Sequence, residues 1–243
     1  MSNNNKKHSV LLIIPAFNEE ENILSVCDNI KNYNQVNDKC YDFIIINDGS
    51  TDNTEKICLD NNIPHISLIN NLGIGGAVQT GYIYALENDY DIAIQFDGDG
   101  QHDINYVNKL VKIIEDDKAD FVIGSRFVEK LSKFRTSASR RVGINIISFF
   151  IKLTTGNKIY DTTSGFRACN KKIIKEFSDH YPVEYPEPIT TVELSKKGYR
   201  IKEIAVNMKE RKGGKSSIRT WKSIYYMINV ILSILIVGSR RYK

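Results

Sequence analysis

Five short apolar runs, the first four each followed by a stretch with helical periodicity, constrain this chain more than any other feature. They are Ser9–Pro15, Asp42–Asn47, His65–Leu68, Asp91–Phe96 and Asp120–Ile123. Runs this short and this nearly continuous in apolar residues read as strands buried on both faces. Helical stretches fall between them. Asn18–Ile30 carries Glu19, Glu20 and Glu21 in its expected first turn, where the helix dipole favours acids. A second helix, capped by Ser50 or Asp52, runs to Leu59, and Gly76–Glu87 and Ile104–Glu115 follow. This alternation predicts an α/β fold: a mostly parallel central sheet with helices on both faces. Ligands of such sheets bind beyond the carboxyl ends of the strands.

The second half is organised differently. Arg140–Thr155 predicts a helix with a long apolar face, Asp161–Arg167 a polar loop, and Lys171–Phe177 a short helix. The proline-punctuated stretch Tyr181–Pro188 precedes a helix at Ile189–Lys196 and a strand at Ile201–Lys209. Residues 221–238 are the most apolar segment. A membrane-spanning helix needs roughly 20 apolar residues; this run is shorter and contains Asn229 and Ser233. Lys222 and Arg240-Arg241 flank it, which suits a helix lying in a membrane interface. Packing on the protein's own core, on a second copy or on a small membrane partner is the alternative.

Composition narrows the function classes. With 243 residues, 42% of them hydrophobic, the chain can bury a full core. A net charge of +4 without an arginine-rich stripe argues against nucleic acid as a partner. The basic residues cluster at Lys130–Arg141, at Lys209–Arg219 and at the end of the chain, which suits an anionic substrate or membrane surface. Four scattered cysteines without CxxC spacing argue against a structural zinc site and a disulfide framework and suit a reducing compartment. The polar N-terminus lacks an apolar signal core, so a cytoplasmic protein, peripheral at the membrane face, is expected.

The chemistry concentrates at Asp97-Gly98-Asp99-Gly100-Gln101, directly after the fourth expected strand. Two carboxylates one residue apart repel unless a cation sits between them. A hard divalent cation takes such oxygen ligands and can hold a diphosphate at the same time. Asn47-Asp48-Gly49-Ser50 occupies the equivalent place after the second strand. There Asp48 can accept hydrogen bonds from a base or ribose, and Ser50 can meet a phosphate or cap a helix.

Further segments complete an ordered set: Ile14-Pro15-Ala16-Phe17-Asn18-Glu19-Glu20, Asn71-Leu72-Gly73 through Gly76-Ala77, Gly124-Ser125-Arg126-Phe127, and Thr163-Ser164-Gly165-Phe166-Arg167. With them the chain, over roughly residues 9–219, resembles a family 2 glycosyltransferase of the GT-A fold, a Rossmann-like architecture. Within that family it most resembles the dolichyl- or polyprenyl-phosphate sugar synthases. The resemblance implies a catalytic domain at 1–219, with a nucleotide-sugar half at 9–127 and an acceptor half at 128–219. Residues 220–243 would form an apolar helix that associates with membrane or oligomerises. It assigns Pro15, Ala16, Asn18, Glu20, Asp48, Ser50 and Asp97 to the nucleotide, and Asp97, Asp99 and Gln101 to the metal, Mg²⁺ or Mn²⁺. Arg126 falls near the sugar or acceptor phosphate. Arg140, Arg141, Ser164, Arg167, Arg211 and Ser216 fall on the acceptor or diphosphate. Two positions depart from the pattern: Ile74 and Ser217 stand where relatives often carry lysine.

The implied activity is inverting transfer of a hexose or N-acetylhexosamine from a UDP- or GDP-sugar to a polyprenyl phosphate, in glycan or surface-polysaccharide assembly. A phosphate acceptor is already ionised and needs no general base. A sugar-hydroxyl acceptor on a lipid-linked saccharide would need one, with Glu187, Glu184 and Asp161 as candidates. A sugar nucleotidyltransferase would carry a basic glycine-rich loop after the first strand, where this chain has the acidic Ala16–Glu20. A non-catalytic nucleotide-binding module would not need the intact Asp97, Asp99 and Asp48.

Overall fold

A computed structural model of the chain describes residues 8–128, 138–208 and 220–242. A seven-stranded sheet forms its centre, in the order β3-β2-β1-β4-β6-β5-β7. The strands are β1 (Val10–Ala16), β2 (Tyr41–Asn47), β3 (His65–Ser67), β4 (Ile92–Gln95), β5 (Phe121–Ser125), β6 (Arg167–Asn170) and β7 (Ile201–Ala205). All neighbours pair in parallel except β6, which runs antiparallel to both β4 and β5.

The two-residue period of β1 divides the interior. Leu11 and Ile13 enter one apolar cluster, while Val10, Leu12, Ile14 and Ala16 enter the other. Helices α1 (Ile23–Asn37), α2 (Thr54–Asp60) and α4 (Val107–Glu115) cover the second cluster. The first is covered by α3 (Gly73–Glu87), α5 (Ala138–Thr155), α6 (Lys171–Asp179), α7 (Pro186–Lys196) and α8 (Thr220–Ser239). Helix α3 lies so close to β1 that a Cβ on Gly81 would stand 2.1 Å from Ile13 Cγ2.

Four elements depart from the expected pattern. Helix α1 starts at Ile23 rather than Asn18, and no acid lies in its first turn. The oxygens of Asn18 and Glu20 bond the neighbouring loop instead, and Asn18 adopts φ +55°. Strand β6 replaces the end of an expected loop. Helix α7 begins at Pro186, three residues early, because proline tolerates the first helical turn. Strand β7 ends at Ala205, and the rest of the strand expected to Lys209 does not form up to Met208; Lys209 lies outside the described residues.

Candidate active site

The nucleotide-side residues meet where β1, β2 and β3 end. Pro15 and Ala16 are the buried last residues of β1, and the Ala16 carbonyl accepts from Asp48 N at 2.8 Å. Asn18 N donates to Ser50 Oγ at 3.0 Å, and Asn18 Oδ1 accepts from Thr51 N at 2.8 Å. Glu20 Oε2 accepts from both nitrogens of Asn53, at 3.0 and 2.8 Å. Asn18, Glu20 and Ser50 therefore clamp two loops together. The N-cap of α2 is Asn53, without a side-chain cap bond, rather than Ser50 or Asp52; Asp52 Oδ1 accepts from Thr54 N at 2.9 Å just before it. Asp48 is 4% exposed, and its Oδ1 accepts from Leu72 N at 2.7 Å. Gly49, at φ +66°, lets the Asn70–Leu72 segment approach, since a Cβ there would stand 2.8 Å from Asn71 N.

The acidic loop leaves β4 one strand away. Asp97 N donates to His102 Nδ1 at 2.9 Å, which puts the ring proton on Nε2, 3.3 Å from Asp97 Oδ2. His102 stacks on Phe166 with centroids 4.7 Å apart, and burial pushes its pKa down to about 4. The ring is thus a neutral strut under the loop. In the metal-free protein its stabilising contribution is complete above about pH 6.5 and is lost as pH falls toward 4, because only the unfolded imidazole protonates in that window. His102→Phe, which keeps the stack and removes both nitrogen contacts, should lose about 1–3 kcal/mol at pH 7 and flatten this acid slope in urea unfolding.

Asp99 Oδ1 accepts from Gln101 N at 3.0 Å, and both aspartates are half-buried. Gly165 lies over Asp97, where a Cβ would stand 3.0 Å from Oδ1. No group of three or more His, Cys, Asp or Glu side chains able to hold a metal gathers among the described residues. Two carboxylates and Gln101 suit a hard cation whose remaining ligands are water and diphosphate oxygens. The residues fit Mg²⁺ or Mn²⁺ arriving with a nucleoside diphosphate. Asp97, Asp99 and Gln101 would hold it, and its charge would stabilise the departing diphosphate.

On the acceptor side, Arg126, Ser164 and Arg167 are buried and bonded within the protein. Arg126, expected at the sugar or acceptor phosphate, is 6% exposed. Its Nε and Nη2 bond both oxygens of Asp161, at 2.8 and 2.7 Å, and Nη2 reaches Thr163 Oγ1 at 2.9 Å. Asp161, a candidate base, is fully buried in that pair and also accepts from Arg126 N. Arg167, expected on phosphate, is 1% exposed. Its Nε bonds Ser164 O at 2.6 Å, and its Nη1 bonds Glu187 O at 2.7 Å and Thr190 Oγ1 at 2.9 Å. Ser164 Oγ donates to Gly124 O at 2.6 Å. Among the described residues, Arg167 Nη2 is buried without a hydrogen-bond partner. Arg141 holds its guanidinium 4.0 Å over the Phe127 ring, with Nη1 buried and without a hydrogen-bond partner among the described residues. Arg140 lies in the first turn of α5, and Arg211 and Ser216 lie outside the described residues.

Glu187 opens α7 near Asp97. Its side chain keeps a partly exposed edge, yet the protein around it desolvates the carboxyl and pushes its pKa above the ordinary range. Arg167 opposes that rise and Asp97 adds to it. Glu184 is exposed on the preceding loop. The structure adds a residue that the sequence reading passed over. Glu203 of β7 accepts from Tyr160 N at 2.7 Å and from Asp161 N at 2.8 Å, fixing the segment that holds Arg126. Its alternating place in a short strand carries no signal of that role.

The glycosyl transferase family 2 profile matches residues 11–178. The chain is 35% identical over 187 residues to UDP-N-acetylglucosamine--dolichyl-phosphate N-acetylglucosaminyltransferase of Methanococcus voltae, covering 70% of this chain and 72% of that protein. It is 26% identical to undecaprenyl-phosphate mannosyltransferase of Micrococcus luteus, over 86% of this chain and 87% of that one. In fold it resembles glucosyl-3-phosphoglycerate synthase of Mycobacterium tuberculosis, solved with Mn²⁺, UDP-glucose and phosphoglyceric acid. That match has a TM-score of 0.70 at 17% identity and covers 98% of this chain and 82% of the other. The chain belongs to glycosyl transferase family 2, and it is a glycosyltransferase of the GT-A fold.

Proposed function

We propose that this enzyme transfers a hexose or N-acetylhexosamine from a UDP-sugar to a polyprenyl phosphate, with inversion and with Mg²⁺ or Mn²⁺. The observation that carries the reading is the Asp97–Asp99 loop, braced by His102, faced by Gly165 and separated from Asp48 by β1. It stands in a chain 35% identical to a dolichyl-phosphate enzyme. Asp48 and the clamped loops would seat the nucleoside, and the acidic loop would hold the diphosphate. The acceptor phosphate oxygen forms the new bond at the anomeric carbon as the bond to the diphosphate breaks. Arg141, stacked on Phe127 beside Arg126 with its Nη1 unpartnered among the described residues, would supply positive charge for that phosphate. The test is a panel of labelled nucleotide sugars with each metal, offered with polyprenyl phosphate. Label appearing on that lipid supports the reading. Label appearing only on a lipid-linked saccharide overturns it.

One observation favours the second reading, transfer to a sugar hydroxyl. Glu187 has a base-like raised pKa and lies near Asp97. Glu187→Gln should leave transfer to polyprenyl phosphate within about threefold of wild type. Under the hydroxyl reading the same change should lower kcat by about 10²–10⁴.

A further inference from the structure

Helices α5 and α8 pack against the core with one face and leave the other bare. On α5, Ile144, Ile147 and Ile151 are buried, while Val142, Ile146, Phe149 and Leu153 are 57, 39, 61 and 65% exposed. On α8, Val230 and Ile234 are buried, while Tyr225, Ile228, Leu232 and Ile236 are 70, 52, 51 and 59% exposed. Each exposed set recurs at helical spacing along one stripe.

The two stripes form one surface. A Cβ on Gly143 would touch Met227, and one on Gly238 would meet Thr154. The sequence offset is the same in both pairs, so the helices run side by side in the same direction. At 3.6 residues per turn, the shared contact edge lies about 90° round from the stripe on α5 and about 130° round, in the opposite sense, on α8. Both stripes therefore face the same way, outward from the sheet.

Charge identifies what would cover this surface. Residues 138–160 and 220–243 hold eight of the 33 lysines and arginines and none of the 29 acids. The rest of the chain carries 25 basic residues against 29 acids. Lys152, Lys158, Arg240 and Arg241 are exposed where both helices end, and Arg140, Arg141 and Lys222 fall in the first turns. A two-fold-related copy would bring one acid-free face against another, positive against positive. A bilayer with anionic headgroups complements both the apolar stripe and its basic ends. No helix among the described residues is long and apolar enough to cross a membrane. The surface also begins beside the cleft, since Arg141 of α5 stacks on Phe127, two residues past the end of β5.

We infer that the outward face of α5 and α8 docks flat on an anionic lipid surface and sets the acceptor side of the cleft at the headgroups. This inference deepens the lipid-acceptor reading above and rests on it. The test is co-sedimentation with vesicles of phosphatidylcholine, with and without phosphatidylglycerol, in the absence of any donor or acceptor. Wild type should bind the anionic vesicles and release in high salt. The double variant Phe149→Ser/Leu232→Ser should lose about tenfold in partitioning, since each exposed side chain would bury apolar area in the bilayer. Its urea midpoint should fall only slightly, because both side chains are more than half exposed and Phe149 gives up one edge contact with Phe150. Failure of wild type to bind, or equal binding by the variant, overturns the inference. A dimer in solution that the same substitutions dissociate also overturns it, since a second copy would then own the face. Transfer to a water-soluble short-chain prenyl phosphate, without vesicles, should be equal in wild type and variant. If that transfer is absent while the vesicle pattern holds, the acceptor reading fails and the docking surface stands.

Discussion

Asp99→Ala should lower kcat/KM for sugar transfer on the order of 10³-fold while leaving the fold intact. Asp99 is half-buried, and its Oδ1 accepts from Gln101 N. Losing that bond costs about 0.5–1.5 kcal/mol, too little to unfold a domain. The activity loss has a different origin. A cation whose protein ligands are two carboxylates and an amide loses much of its hold when one carboxylate is removed. The diphosphate then departs without its counter-charge. Two measurements separate this from general damage. In wild type, Mn²⁺ should raise the thermal stabilisation given by UDP, and in Asp99→Ala that increment should vanish. The metal-free stabilisation by UDP should persist, because Asp48 and the Asn18–Ser50 clamp are untouched. If Asp99→Ala keeps the Mn²⁺ increment and transfers at wild-type rate, the acidic loop is not the metal site.

The same contrast between local pattern and tertiary contact decides what the sequence could reveal. Strands β1, β2 and β4 are legible because burial on both faces forces continuous apolar runs, and the alternation in β1 divides two cores as a two-residue period must. Strand β6 is illegible. It is four residues long, begins with the buried Arg167, and forms because β4 and β5 present edges on either side of it. The start of α1 is misread for a related reason. Asn18, Glu19 and Glu20 look like the first turn of a helix, but Ser50, Thr51, Asn53 and Thr54 offer them better partners from 32 to 35 residues away. In the site, the aspartates after β4 announce themselves by sitting where a sheet binds ligands. The arginines do not. Arg126 and Arg167 read as phosphate ligands by type, and only the fold shows that Asp161, Ser164 and Glu187 already hold them.

Breaking the Arg126–Asp161 pair should therefore damage stability as much as catalysis. Asp161 is fully buried, and Arg126 meets it through two guanidinium bonds and a backbone N–H. Arg126→Ala would leave a buried carboxylate without its cation, which costs about 3–5 kcal/mol. Urea unfolding should show that loss as a lower midpoint at unchanged slope. Arg126→Met/Asp161→Leu, which removes both charges, should recover most of it, since buried pairs contribute little net stability over apolar packing. Catalysis should not recover with it. The pair ties β5 to the Tyr160–Thr163 segment, and that segment leads into Ser164 and Gly165, whose backbone lies over Asp97. Arg126→Lys divides the two roles further, because an ammonium cannot form the paired bonds of a guanidinium. If Arg126 acts by positioning, the lysine variant should lose kcat with little change in acceptor KM. A rise in acceptor KM at constant kcat would instead make Arg126 a direct phosphate ligand.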